Sequence, residues 1–235
     1  MSDLHVLLAA AVVAAFAHTL LGPDHYLPFI VMSRARGWSL KRTLLITAGC
    51  GVGHVAGSMV IGMVGVGIGY GITEIAILES IRGNLAGWAF FLFGFTYMTW
   101  GIFKAIKNRP HTHVHFHANG DAHLHEHVHR REHVHVHPAD SRQLTPWALF
   151  IIFVLGPCEI MVPLVMEPAM RHDMGGVVVV ALLFSIVTIA TMCATVTAGY
   201  FGLKILPYKN LDRYIHAIAG GTICLSGFAI LFLGL

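Results

Sequence analysis

Six apolar stretches, at 4–32, 44–70, 85–106, 147–166, 177–206 and 215–235, each reach the ~20 residues that a helix needs to cross a bilayer. In lipid no water pairs with a free backbone N–H or C=O, so only helices and closed barrels can span it. Porin-like strands of alternating polarity are absent. Only 11% of the residues are charged, against the ~25% of a soluble domain. The expected fold class is therefore an all-α integral membrane protein with six transmembrane helices. The first stretch carries Asp3 at its flank and no Lys or Arg, and is longer than the apolar core of a signal peptide. It is expected to be retained.

Lys and Arg set the orientation. Thirteen of the fifteen basic residues fall between stretches 1 and 2, 3 and 4, or 5 and 6, and only Arg82 and Arg171 fall on the other side. Both termini are thus expected outside the cytoplasm, in a plasma (inner) membrane. The net charge of +3 reports this topology, and no nucleic-acid partner is read into it. The lipid bilayer is the partner that the composition demands, and a homo-oligomer is compatible with it. Cys50, Cys158, Cys193 and Cys224 all lie in apolar stretches, which argues against a disulfide scaffold.

Two of the stretches are interrupted in the same way. Leu21-Gly22-Pro23-Asp24-His25 and Leu155-Gly156-Pro157-Cys158-Glu159 each place two potential metal ligands after Leu-Gly-Pro, and each motif closes on a proline, Pro28 or Pro163. Breaking a helix in lipid frees backbone groups, and an acid at that depth costs roughly 2.5 to 3.5 kcal/mol. Bearing both costs twice points to a binding site. Gly22 and Gly156 are 134 residues apart, and Leu85-Ala86-Gly87 with Gly94-Phe95 is echoed 133 residues later by Ile218-Ala219-Gly220 with Gly227-Phe228. Two matches at almost one offset predict an internal repeat, 1–106 and 144–235, flanking a segment 107–143. Three helices per half is an odd number, so the halves would insert in opposite senses, as in transporters with broken helices at the midplane. At ~1.5 Å per residue both motifs would lie about 15–18 Å deep.

Asp24 and His25 would face Cys158 and Glu159 at that level. His18 precedes His25 by seven residues, two helical turns, and His54 shares a helix face with Cys50. Imidazole, carboxylate and one thiolate suit Ni, Co or Zn better than Mg or Ca. Cys50, Cys193 and Cys224 read as packing residues, and Gly49, Gly53 and Gly57 as a close-packing face. Glu167, Arg171, His172 and Asp173 read as a solvated outer loop, and no role is assigned to His5 or His216.

The segment 107–143 leaves the membrane pattern and is expected in the cytoplasm. Eleven histidines stand there at odd positions only: His111, His113, His115, His117, His123, His125, His127, His129, His133, His135 and His137. Such a tract binds transition metals whether ordered or not. Its spacing is palindromic about Gly120 and about Arg131. A β-meander with turns there would pair His113 with His127, His115 with His125 and His117 with His123 on one face.

The run His18-Thr19-Leu20-Leu21-Gly22-Pro23-Asp24-His25 resembles the His-x(4–5)-Asp-His signature of the nickel/cobalt permeases, in the NicO and urease-accessory-type branch. Gly53-His54-Val55-Ala56-Gly57 looks like that family's Gly-His motif in the following helix, and the His-rich loop is similar to that of its efflux members. The resemblance implies metal contacts at His18, Asp24, His25 and His54. The fourth stretch departs from the pattern. Gly156-Pro157-Cys158 with Pro163 looks instead like the Pro-Cys-x(n)-Pro motif of membrane thiol–disulfide carriers, which share the same LysE-like superfamily. The expected function is transport of a divalent transition-metal ion, Ni or Co foremost and Zn next, with no enzymatic activity. The ion would be cargo, and no prosthetic group is expected. The alternative is a transmembrane electron carrier working through Cys158 and a second cysteine.

Overall fold

The computed structural model describes residues 2–67, 71–107, 111–116, 122–127, 141–156, 158, 160–171, 173–205 and 212–233. Eight α-helices are found there: α1 (Ser2–Leu21), α2 (Leu27–Arg36), α3 (Leu40–Gly67), α4 (Ile72–Lys107), α5 (Ser141–Leu155), α6 (Met161–Met170), α7 (Met174–Ile205) and α8 (Ile215–Leu233). Five of them, α1, α3, α4, α7 and α8, are long and apolar enough to cross a membrane, which marks a membrane protein. Leu21, Phe103 and Leu225 remain 75%, 65% and 69% exposed. Lipid accepts such surfaces, and water does not.

The fourth expected crossing is not one helix. It is divided into α5 and α6, both short, by a non-helical stretch after Leu155. The first crossing is divided too. Pro23 has no N–H to continue α1, so the last α1 bond is Gly22 N–H to His18 O at 2.9 Å. A single 3-10 turn, Pro23–His25, follows before α2. α2 then ends at Gly37, whose φ of +63° needs a glycine. Gly37 N–H bonds Arg34 O at 3.3 Å and Trp38 N–H bonds Ser33 O at 2.8 Å, the paired closure of a Schellman motif.

The third crossing begins earlier than its hydropathy indicates. α4 starts at Ile72, thirteen residues before the expected 85, so Arg82 is no outer-loop residue but sits inside the helix and is buried. Its partner Glu79 is fully buried beside it, with Nη1 and Oε1 2.7 Å apart. Paired charges inside a bundle look, to a hydropathy reading, like the end of a span.

α4 and α8 run antiparallel along a seam of glycines. A methyl group on Gly94 would overlap the Cys224 backbone and lie 2.8 Å from Gly220 O, and one on Gly227 would overlap the Phe91 backbone and lie 2.7 Å from Gly87 O. Only glycine allows backbones this close. Beside the seam, Phe29, Met32, Phe90, Leu149, Phe153, Met192 and Ile223 join α2, α4, α5, α7 and α8 in the largest core cluster.

Between the halves, His111–Phe116 (β1) and Ala122–His127 (β2) pair as an antiparallel hairpin. The pairs are His111 with His127, His113 with His125 and His115 with His123. The expected register about Gly120 is thus displaced by two residues. The rest of the expected meander, including His117, His129, His133, His135 and His137, lies outside the described residues.

Candidate metal site

Three of the expected ligands converge. His18 comes from the last turn of α1, His25 from the 3-10 turn that Pro23 imposes, and His54 from the middle of α3. The His25 ring stands edge-on between the other two, with centroids 4.6 Å from His18 and 5.2 Å from His54. One ligand atom from each lies within 4.8 Å of the others. Asp24 Oδ1 is 3.2 Å from His25 Nδ1, and Gly22 O is also 3.2 Å from that nitrogen. A proton on Nδ1 donated to these oxygens leaves Nε2 with a free lone pair, the usual way a carboxylate or carbonyl orients a metal-ligating histidine.

The Nε2 atoms of His18, His25 and His54 are all buried with no hydrogen-bond partner. A buried polar atom without a partner costs on the order of 1–3 kcal/mol, so three together call for a ligand. A transition metal binds imidazole at about 2.0–2.1 Å, which puts two nitrogens at most ~4 Å apart. Metal binding would require the present spacing, up to 4.8 Å, to shorten to that. The histidines border a cavity of about 560 Å³, to which Asp24 and, from α4, Ser80 and Asn84 contribute polar groups. Ser80 and Asn84, one turn apart, are missed by a sequence reading that starts the third crossing at 85.

The second break is arranged differently. Cys158 is buried in an apolar cluster with Ala15, Val55, Met161 and Phe184, and it falls outside the histidine group. Glu159 lies outside the described residues. What meets the break is a network the sequence reading does not anticipate. Arg82 Nε donates to Leu155 O at 3.2 Å and Arg82 Nη2 donates to Gly156 O, so the guanidinium takes two carbonyls at the C-terminal end of α5. Across the gap, Cys158 N–H donates to Ser58 Oγ at 3.0 Å and to Glu79 Oε2 at 3.2 Å. Ser58 Oγ also donates to Glu79 Oε2 at 2.8 Å and lies 3.0 Å from Arg82 Nη2. Each charge meets the helix end that favours it, a cation at the carbonyl end and an anion near the N–H end. The signal was present as Glu79 and Arg82 three apart on one helix face.

His54 links the two breaks, with His25 of the first on one side and Gly156 of the second on the other. Gly156 packs so closely on His54 that a Cβ there would sit 3.2 Å from the His54 Nδ1 atom. Gly53 and Gly57, one on each side of His54, admit Phe150 with Val154 and Arg82 respectively, whereas Gly49 faces open space. Of that expected face, Gly53 and Gly57 pack closely and Gly49 does not. Comparison of the chain with protein-family models, with curated proteins and with solved structures gives no match in any of the three.

Proposed function

We propose that this chain is a membrane transporter of divalent transition-metal ions, Ni or Co foremost and Zn next, with His18, His25 and His54 as ligands. The observation that carries the reading is three histidines on one cavity among apolar helices, each with a buried Nε2 that has no partner and each offering a ligand atom within 4.8 Å of the others. Asp24 has two roles here: it orients His25, and it supplies one negative charge against the two of the ion. The bound site keeps a net charge of about +1, which burial disfavours. That balance suits an ion that is held and then released.

Six crossings in two inverted repeats give the site its frame, with α5 and α6 together as the fourth crossing. Support comes from the α4–α8 seam. The contact of Gly94 with Cys224 becomes, on adding 133 to one partner and subtracting it from the other, that of Gly227 with Phe91. Gly220 with Met98 becomes Gly87 with Leu231 in the same way, and both members of each pair are found. Broken helices α1–α2 and α5–α6 occupy matching places in the two halves. On this frame both termini lie outside and the His-rich segment is cytoplasmic, where it collects ions or senses their level. Conduction proceeds by rocking of the two halves about the histidines.

The test is uptake of Ni, Co and Zn into proteoliposomes with a metal-quenched dye inside. Flux abolished in Asp24→Ala and retained without residues 111–137 is the expected outcome. Equal flux in Asp24→Ala and parent would refute the site assignment.

A further inference from the structure

One end of the bundle gathers cations. Lys104 stands in the last turn of α4 and His216 in the first turn of α8. Gly101 lets these helices meet there, since a methyl on it would overlap the Ala217 backbone and lie 2.7 Å from the His216 carbonyl carbon. Lys104 Nζ is 3.0 Å from His216 Nε2, and Tyr97 Oη, two turns earlier on α4, is 2.9 Å from His216 Nδ1. From the last turn of α2, the Arg36 guanidinium carbon lies 5.4 Å from the centre of the Tyr97 ring. The charge of Arg36 bears on both Lys104 and His216. Among the described residues no carboxylate forms an ion pair with Arg36, Lys104 or His216.

Helix ends collect cations because their free carbonyls favour positive charge. Here other groups already serve those carbonyls. Arg213 Nε donates to Ala105 O at 2.8 Å in the last turn of α4, and the N–H groups of Gly37 and Trp38 close α2. Lys104 turns instead to an imidazole. Arg36 Nη2 donates to Thr145 Oγ1 at 2.7 Å, while Arg36 Nε is buried without a partner. Acceptors are short along the whole chain of contacts. An ammonium only donates, so His216 Nε2 accepts from Lys104. The ring proton then sits on Nδ1 and is donated to Tyr97 Oη, which leaves the tyrosine O–H with no acceptor among the described residues.

We propose that Arg36, Lys104 and the Tyr97 hydroxyl, gathered about His216, bind a phosphate group. Its oxygens are the acceptors that this set of donors lacks, and its charge offsets the cations. The position favours the phosphodiester of an anionic lipid over free phosphate. Lys104 is exposed, with Nζ 5.0 Å from the centre of the Trp100 ring, and Trp100 and Phe103 are 44% and 65% exposed beside it. Tryptophan at the end of a membrane span marks the headgroup level, and basic pockets between membrane helices hold lipid headgroups. The site uses none of the metal ligands, so it stands apart from the transport reading.

The experiment uses full-length protein in neutral detergent micelles and high salt, which screens the general attraction of exposed charges. Energy transfer from tryptophan to a pyrene-labelled phosphatidylglycerol reads binding, with a pyrene-labelled phosphatidylcholine for comparison. The parent should prefer phosphatidylglycerol by about tenfold or more, and Lys104→Gln and Arg36→Gln should each remove most of that preference. Tyr97→Phe, which loses only the hydroxyl, should weaken it about threefold. Lys104→Arg keeps the charge, and Lys41→Gln changes a basic residue outside the cluster, so both should stay within about threefold of the parent. Because Lys104 is exposed, its variants leave the core intact and decide the matter even where Arg36→Gln does not fold. Displacement of the probe by millimolar inorganic phosphate would support the site with free phosphate as its ligand. Displacement by unlabelled phosphatidylglycerol alone would support it with the lipid. Equal affinity of the parent for the two probes would overturn the proposal, and so would a preference that survives in Lys104→Gln. An equal loss in Lys41→Gln and Lys104→Gln would overturn it too, since the attraction would then belong to the basic surface as a whole.

Discussion

Gly94→Ala should separate the two long helices on which both halves depend. The added methyl would overlap the Cys224 nitrogen and lie 2.6 Å from Cys224 Cα and 2.8 Å from Gly220 O. Carbon atoms prefer about 3.5–4.0 Å, so α4 and α8 must part by roughly 1 Å. The obstacle is backbone on every side, so no rotamer change relieves it. Overpacking typically costs ~1–3 kcal/mol, and this geometry belongs at the upper end. Alanine returns up to ~1 kcal/mol through helix propensity, which leaves a net loss of about 2 kcal/mol. Gly227→Ala meets the Phe91 backbone and Gly87 O in the same manner and should cost about the same. Gly49→Ala and Gly62→Ala are the controls, because nothing lies within 4 Å of either added methyl. They should be neutral or gain a few tenths of a kcal/mol. SDS-induced unfolding in mixed micelles, followed by circular dichroism, reads all four. Gly94→Ala as stable as Gly62→Ala would refute the seam. A large effect at Gly94 with none at Gly227 would count against the equivalence of the halves.

Asp24→Asn keeps an acceptor for His25 but removes its charge, and should weaken Zn binding about 10–100-fold by calorimetry with the melting curve preserved. Protons compete with the ion for the imidazole nitrogens, so affinity should fall as pH drops. Titration in buffers of different ionisation enthalpy should show proton release at the low end, and an affinity unchanged down to the pH at which the fold is lost would count against histidine ligation. Arg82→Met strands the Glu79 carboxylate in the interior and should cost about 3–5 kcal/mol. Adding Glu79→Met should restore part of that stability, and a double-mutant cycle with no coupling would show the pair to be incidental.

Much of this was legible in the residues because lipid leaves few choices. Apolar length marked a membrane protein and its long helices, and Gly-Pro within an apolar run located both breaks. His18, Asp24, His25 and His54 could be singled out because ionisable groups within apolar runs need a reason. Cys158 was misplaced by the same logic. A motif read as the mirror of Asp24 turns its side chain into apolar packing and contributes its N–H instead, which no pattern of side chains reveals. Glu79 and Arg82 were hidden because hydropathy counts charges without knowing that they neutralise each other. The hairpin register escaped for another reason. Histidines on alternate residues stay on one face when a strand slides by two, so the pattern leaves the register open.

The most direct test of the central claim is X-ray absorption at the Zn edge, on protein whose eleven loop histidines are replaced by glutamine. The account predicts one tightly bound Zn per chain, with imidazole nitrogens at about 2.0–2.1 Å. Their number should be three, reduced by one in His54→Ala. A first shell of oxygen only, or a sulfur at about 2.3 Å that disappears with Cys158→Ser, would contradict it.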